Sequence, residues 1–333
     1  MNSNNPTKDT LKVDRNFCER VQVLCDFEQP IKEQQYTDQW NGDYVRMPFS
    51  GQSKYPVGDK VTSRWSLVKK ALSQELLCVE DLEEAILSYN PRFKKSWSFR
   101  LLKAFFIEEA TLEERVTFFD ETLPNMQEIC LSAEKYFPEP PRLLKKRSNR
   151  EIYLSQHQAS ILMIMAFFCL YPRRNSSRAD AEYGAYNFIN FNKLFGLPTS
   201  NHSNFEKLRT LLNYFHRVSK SPPTGVVSFH RVEADFMPLW DMEEKKLTRV
   251  KFDDDGLIDQ EGSKYIEMDF ANKYIGGGVL GHGLVQEEIR FIVAPEFIVT
   301  LLLTEELSDD ECLGISNRFF PRIVIFNFSN DWM

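Results

Sequence analysis

The sequence lacks several features that mark specialised classes of protein. Its six cysteines are scattered and form no CxxC pair, so we expect neither structural disulfides nor a zinc site, and a reducing compartment is the natural setting. The polar start of the chain has no apolar signal segment. The most apolar run, residues 161–171, is too short to span a bilayer and predicts a buried helix. We therefore expect a soluble intracellular protein.

Positive charge is also in short supply. The chain has 41 Lys and Arg against 48 Asp and Glu, a net charge of -7, which argues against binding nucleic acid through a basic surface. A local basic groove for a phosphate-rich ligand remains compatible with this balance. The length of 333 residues is sufficient for two domains, each with its own core.

The apolar pattern divides the chain into a helical part and a mixed part. Residues 1–40 are polar and predict a flexible N-terminal arm. The spacing then predicts helices from Ser63, from Asp81, over 99–109, over 111–136 with an interruption at Pro124, over 156–170 after a Ser155 cap, and over 204–219. We predict a helical domain over residues 41–222.

Short β-prone runs follow the turn at residues 221–225. They are VVSFHRV, LTRVKF, KYIEMDF and ECLGI, and a helical segment broken near Pro295 lies before the last of them. Alternating strands and helices indicate an α/β layer. We therefore predict an α/β domain over residues 223–333.

Glycine is sparse, but five of the 14 glycines lie between Gly276 and Gly283. This segment follows a predicted strand and precedes a predicted helix. Because glycine has no Cβ, backbone N–H groups there can approach a ligand closely. A flexible turn would have the same composition, so the loop alone is not specific.

Three acids surround this loop. Glu287 and Glu288 stand at the start of the helix, and Asp269 ends the preceding strand. Adjacent carboxylates raise the pKa of one of them, whereas a helix N-terminus stabilises negative charge. Such a cluster suits glycosidic chemistry, in which a protonated acid must reach the leaving oxygen. A Glu-Glu pair that only stabilises an exposed helix start is the alternative.

Two basic segments also allow more than one interpretation. Residues 143–150 (LLKKRSNR) fit a solvated connector, a localisation signal or a contact with a polymer. Arg173 and Arg174 fit either phosphate ligands or partners of the excess acids.

The combination GGG-x7-QEE resembles the signature of the poly(ADP-ribose) glycohydrolases, whose catalytic core is a macrodomain. Similar segments run in the same order from about residue 40 to 315, among them DFAN at Asp269, AFFCLYPRRN at 166–175 and PTGVVSF at 223–229. The resemblance implies an α/β fold, with a mainly helical N-terminal domain before a macrodomain-like domain. It implies a glycosidase that hydrolyses ribose–ribose O-glycosidic bonds of poly(ADP-ribose) and releases ADP-ribose, with no metal and no cofactor.

The resemblance assigns a role to each matching residue. Glu288 would be the general acid and then the base toward water. Glu287 and Asn272 would position ribose hydroxyls, and Asp269 would support the carboxylate network. The remaining substrate-binding residues would be Gly276, Gly277 and Gly278 in the loop, and Gln286, Ile258 and Asp259 on the adenine side. Asp259 stands where the family usually has Glu.

The implied partners are poly(ADP-ribose) and proteins that carry it. No sequence-specific nucleic acid and no membrane are implied, and the protein is expected to be a monomer of the nucleus or the cytoplasm.

The resemblance ends near Ile315, so we expect a macrodomain that is incomplete at its C-terminus, without a second glycine-rich loop for the diphosphate. A partial sheet would leave an unpaired edge and an uncovered apolar face. Residues 322–328 (RIVIFNF) could patch that edge or form an aggregation-prone tail. The alternative function is therefore a truncated, catalytically inactive isoform that binds the polymer or its partners.

Overall fold

The computed structural model describes residues 35–57, 60–176, 178, 180–234, 242, 244, 246, 249–256, 266–316 and 322–327. Ile258, Asp259 and most of the predicted N-terminal arm lie outside the described residues. A hairpin of β1 (Lys54–Val57) and β2 (Lys60–Ser63) comes first and is antiparallel.

Helices dominate the chain from there to residue 220. They are α1 (Arg64–Leu72), α2 (Val79–Ser88), α3 (Arg100–Ala104), α4 (Leu112–Val116), α5 (Leu123–Leu131), α6 (Gln156–Phe167), α7 (Asn192–Phe195) and α8 (His202–Lys220). A π turn, Phe105–Glu109, extends α3, and a second, Thr117–Thr122, joins α4 to α5. The predicted helical region is therefore confirmed.

The starts of two helices differ from the sequence prediction. Although α1 follows Ser63, the Ser63 side chain makes no capping hydrogen bond. Helix α2 begins at Val79 rather than Asp81. The Asp81 carboxylate lies in the first turn and accepts hydrogen bonds from the backbone N–H groups of Leu77 and Cys78. Asp81 thus satisfies the helix start from inside the helix.

The predicted interruption at Pro124 is wrong. Pro124 lies in the first turn of α5, where a helix needs no N–H donor and a proline ring is tolerated. The π turn before it keeps the chain helical from Leu112 to Leu131. The pattern alone gave no sign of this turn.

Helix α6 is the buried helix that the apolar run predicts. Ser155 and Gln158 form a reciprocal capping box at its start. Its side chains are buried on all faces, as expected of a helix surrounded by protein. It ends at Phe167 rather than at residue 170, because Cys169 adopts a left-handed φ of 54°.

No helix of the described residues is long and apolar enough to cross a membrane. The cysteines among them, Cys78, Cys130, Cys169 and Cys312, are free thiols.

A five-stranded sheet forms the second part of the fold. Its strands are β3 (Glu151–Ser155), β4 (Val226–Glu233), β5 (Ile266–Ala271), β6 (Glu311–Ser316) and β7 (Arg322–Asn327), in the order β3-β4-β6-β7-β5. The pairs are antiparallel except β5 with β7, which is parallel. This part of the fold also contains helices α9 (Gln286–Val293) and α10 (Thr300–Leu303), with a 3-10 turn, Pro295–Val299, between them.

The predicted α/β class is confirmed, with differences in detail. Strand β3 comes from the helical region and was not predicted. Residues 249–252, the described part of LTRVKF, form no strand, and Val250 and Phe252 are exposed, because β-prone residues need a partner strand. Strand β7 lies between β6 and β5, so residues 322–327 supply an inner strand rather than an edge patch.

A buried ion pair ties this sheet to the connector, residues 143–150. The side chains of Arg231 and Glu311 are both fully buried, and Arg231 Nε lies 2.8 Å from Glu311 Oε1. Arg231 also donates hydrogen bonds to the carbonyls of Leu144, Glu305 and Glu306. Burial raises the pKa of Glu311, but the hydrogen bonds from Arg231 and nearby backbone outweigh it and lower the pKa to about 2.

The basic side chains of the connector pair with acids on the surface. Lys145 lies 2.9 Å from Asp43, and Lys146 lies 2.6 Å from Glu306. The residues therefore act as the solvated connector that was one interpretation of this segment.

Replacing Arg231 with Met should lower the free energy of unfolding by about 3–5 kcal/mol, because Glu311 and the carbonyls would stay buried without donors. Urea unfolding at pH 7 measures this loss. Arg178→Met, which removes an exposed pair with Asp180, is the control and should change little. A loss for Arg231→Met as small as that of the control would show that the pair does not secure the connector.

Candidate active site

Strand β5 has buried acidic side chains and exposed apolar ones. Glu267 and Asp269 are buried, whereas Ile266 is 57% exposed and Met268 47%. Glu267 is neutralised by Arg290 of α9, with 2.6 Å between Oε1 and Nη2. Because side chains alternate along a strand, Asp269 faces the same side, toward the start of α9.

The glycine loop packs directly on the acids at the start of α9. Gly276 and Gly277 have left-handed φ values of 81° and 48°. A Cβ at Gly277 would clash with Oε1 of Glu288 and would lie 2.9 Å from Oε2 of Glu287. A Cβ at Gly283 would also meet the Glu288 carboxylate. The loop therefore requires glycine because the protein's own carboxylates approach its backbone so closely.

Glu287 is 5% exposed, and backbone N–H groups hold both of its oxygens. Oε1 accepts a hydrogen bond of 2.6 Å from Gly276, and Oε2 one of 3.4 Å from Asn272. Burial raises the pKa of Glu287 to about 8, the bond from Gly276 opposes the rise, and the Asp269 charge adds to it. Burial therefore favours the protonated form of Glu287.

Glu288 is equally buried and has its own pair of backbone donors. Oε1 accepts from the N–H of Gly278 at 2.8 Å, and Oε2 accepts from that of Val285 at 3.0 Å. The second bond satisfies the N–H of Val285, the residue before the first turn of α9, by a carboxylate three residues further on. These two bonds fix the orientation of the carboxylate.

Asp269 differs from the two glutamates in that no described backbone N–H holds its Oδ2 atom. Its Oδ2 is buried and has no hydrogen-bond partner within the part of the chain that the structure describes. Burial raises the pKa of Asp269, and the charge of Glu288 raises it further. Asp269 is thus coupled to Glu288 through charge.

The helical region holds the loop from the other side. Lys207 of α8 donates hydrogen bonds to the carbonyls of Gly281 (2.8 Å) and Gly283 (2.7 Å). Asn187 Nδ2 donates to the carbonyls of Ile275 (3.1 Å) and Gly277 (2.8 Å). Neither residue is predicted from the sequence. The one available signal was a lysine on the apolar face of α8.

These acids line a cleft of about 740 Å³, a volume typical of small-molecule sites. The sequence-predicted site residues along it are Asp269, Asn272, Gly277, Gly278, Gln286, Glu287 and Glu288. Gly276 of the loop is buried and does not line the cleft. Gln286 Nε2 lies 3.4 Å from the carbonyl oxygen of Met268. Ile258 and Asp259 lie outside the described residues.

Aromatic side chains from the helical region form the opposite wall. Tyr183 and Tyr186 line the cleft, and the guanidinium of Arg174 lies 3.9 and 4.6 Å from their ring centres. Arg174 is buried and donates to the carbonyls of Leu301 and Leu302 at the end of α10. It therefore stabilises a helix C-terminus and the cleft wall, while Arg173 pairs with Glu182.

Comparison with known proteins defines the class first. Residues 110–231 match a family model described as the helical domain of poly(ADP-ribose) glycohydrolase, and residues 237–319 match one described as its macro domain fold. Together the two ranges take in more than half of the chain. The protein thus has a helical domain followed by a domain with the macro domain fold.

Individual relatives agree with this class. Poly(ADP-ribose) glycohydrolase 1 of Arabidopsis thaliana is 33% identical over 265 residues, which cover 71% of this chain and 46% of the relative. Poly(ADP-ribose) glycohydrolase 1 of Caenorhabditis elegans is 33% identical over 204 residues, 60% of this chain and 24% of the relative. The chain belongs to the poly(ADP-ribose) glycohydrolase family. It spans less than half the length of these curated relatives.

Gly277→Ala should lower the free energy of unfolding by about 1–3 kcal/mol, because alanine resists a left-handed φ and its Cβ would displace Glu288. Gly281→Ala is the matched control, since an added Cβ there meets only the Gly278 carbonyl oxygen at 3.4 Å. Urea unfolding of both variants tests the difference. Equal losses would contradict the close packing of the loop on Glu288.

Glu287→Gln should change how stability depends on pH. The folded-state pKa of about 8 exceeds the usual 4.5, so the stability that this group contributes is complete below about pH 4.5 and is lost as pH rises through 8. Between pH 5 and 8 the variant should gain on the wild type by up to about 4 kcal/mol. Unfolding curves at several pH values measure this, with exposed Glu84→Gln as control. Parallel wild-type and Glu287→Gln profiles would refute it.

Proposed function

We propose that this chain hydrolyses the ribose–ribose O-glycosidic bonds of poly(ADP-ribose) and releases ADP-ribose. The observation that carries the proposal is the pair of buried carboxylates, held by backbone N–H groups of the glycine loop at the wall of an open cleft. Membership of the poly(ADP-ribose) glycohydrolase family supports the substrate class. We also propose that the protein acts as a monomer on poly(ADP-ribose) and the proteins that carry it.

Glu288 is the proposed general acid and base. It donates its proton to the 2′-oxygen of the leaving ribose as the C1–O bond breaks and an oxocarbenium-like centre develops. The carboxylate then takes a proton from the water whose oxygen bonds to C1. Each Glu288 oxygen accepts a single backbone N–H, so each keeps a lone pair for this proton. The fixed orientation supports in-line transfer to a bound substrate.

The neighbouring polar groups are suited to hold the ribose. Protonated Glu287 can donate a hydrogen bond to a hydroxyl. Asn272 Oδ1 accepts from the Tyr274 N–H at 2.9 Å, which leaves the Nδ2 group to face a ligand. The Asp269 Oδ2 atom can accept from a hydroxyl, which would satisfy a buried atom that has no partner among the described residues.

Glu288→Gln should reduce the release of ADP-ribose by about 10²–10⁴-fold, the usual contribution of a general acid. The purified chain is incubated with labelled polymer and the released ADP-ribose is quantified. Glu84→Gln, an exposed change on α2, should match the wild type, and thermal unfolding confirms that Glu288→Gln is folded. Wild-type protein that binds the polymer without cutting it would establish the inactive binding alternative. Release unaffected by Glu288→Gln would refute the assigned role.

A further inference from the structure

Lys207 is a buried cation on a helix whose inward face is mainly apolar. It is 2% exposed and lies among the buried side chains of Asn204, Leu208 and Leu211. An ammonium in such a place is costly unless hydrogen bonds and charge replace its water. Its hydrogen-bond acceptors are the carbonyls of Gly281 and Gly283, at 2.8 and 2.7 Å.

Those carbonyls belong to a continuous hydrogen-bonded path that ends at Glu288. The N–H groups of Gly281 and Gly283 both donate to the carbonyl of Gly278, at 2.7 and 3.1 Å. The N–H of Gly278 in turn donates to Glu288 Oε1. Gly283 also packs against the Glu288 carboxylate so closely that a Cβ would clash with it. A displacement of the Gly281–Gly283 segment would therefore move Gly278, whose N–H donates to the Glu288 carboxylate.

Charge links the same two residues. Burial lowers the pKa of Lys207 to about 8, and the negative charge of Glu288 on α9 opposes that fall. The other acids near Glu288 are Glu287 on α9 and Asp269 on β5, and both are coupled to it. Lys207 thus brings a positive charge close to this carboxylate cluster from behind the loop, whereas Arg178 and Lys193 of the helical domain line the cleft itself.

We propose that Lys207 is a positioning residue of the active site, which holds the glycine loop so that Glu288 keeps its orientation. The inference rests on the proposed glycosidase function. Lys207 does not line the cleft, so it acts through the loop and not on the ligand. The helical domain thereby takes part in the chemistry of the macro domain.

The variants are chosen to separate positioning from ligand contact. Lys207→Met, which keeps the length of the side chain without its donors and charge, should lower kcat on labelled poly(ADP-ribose) by about 10–100-fold. The Kd for ADP-ribose should change by less than about threefold, since no ligand contact is lost. Lys207→Arg should restore most of the rate, and exposed Lys220→Met on the same helix should match the wild type.

The pH profile gives a second readout. A nearby positive charge favours the ionised form of a carboxylate, so Lys207→Met should move the pH–rate profile toward higher pH. Unchanged kcat in folded Lys207→Met would overturn the proposal. A Kd for ADP-ribose that rises in step with the loss of rate would also overturn it, because Lys207 would then contact the ligand. If Lys207→Met does not fold, Lys207→Gln replaces it under the same criteria.

Hydrogen exchange distinguishes this inference from the proposed function. The peptide over residues 276–285 should exchange faster in Lys207→Met than in the wild type, because the loop loses two hydrogen bonds. Faster exchange in a protein whose wild type releases no ADP-ribose would refute the function but retain the role of Lys207 in the loop. If both the activity and the exchange of Lys207→Met match the wild type, the positioning role of Lys207 is refuted and the proposed function stands.

Discussion

Glu287 and Glu288 carry adjacent carboxylates that lie buried beneath a glycine loop, and each must find replacements for the water it has lost. The replacements are backbone N–H groups at 2.6–3.4 Å. A backbone can approach two carboxylates so closely only where no Cβ intervenes, at Gly277 and Gly283. One requirement, the solvation of two buried acids by main chain, therefore explains the glycine content, the left-handed φ values and the start of α9.

The loop depends in turn on the helical domain. Asn187 holds carbonyls at the start of the loop and Lys207 holds carbonyls at its end. Arg174 joins the aromatic wall of the cleft to the end of α10. The Arg231–Glu311 pair then fixes the connector to the sheet. Since each of these contacts joins segments distant in the chain, neither domain alone would present the site in this form.

The parts of this site that sequence could predict are those specified locally. The density of glycine, the acids that follow it and the β-prone run before it all lie between residues 265 and 290, where spacing and turn chemistry are informative. The roles of Asn187 and Lys207 depend on partners 74–90 positions away, which no local pattern encodes. The predictions at Pro124 and at residues 249–252 were wrong for a related reason, since tertiary structure overrode local propensity. At Pro124 a π turn continues the helix, and residues 249–252 pair with no strand among the described residues.

Three carboxylates line the cleft beside the basic Arg178 and Lys193, and if ionised they would repel an anionic ligand such as the proposed poly(ADP-ribose). Two like charges 4 Å apart near a protein surface repel by about 4 kcal/mol, so three ionised carboxylates would oppose binding. Burial reduces this conflict, because it raises the pKa values of Glu287 and Asp269 and so opposes their ionisation. The ammonium of Lys207 further offsets the remaining charge. The same burial that obliges the loop to supply N–H donors thus opposes the ionisation of Glu287 and Asp269, which agrees with the anionic substrate of the proposed function.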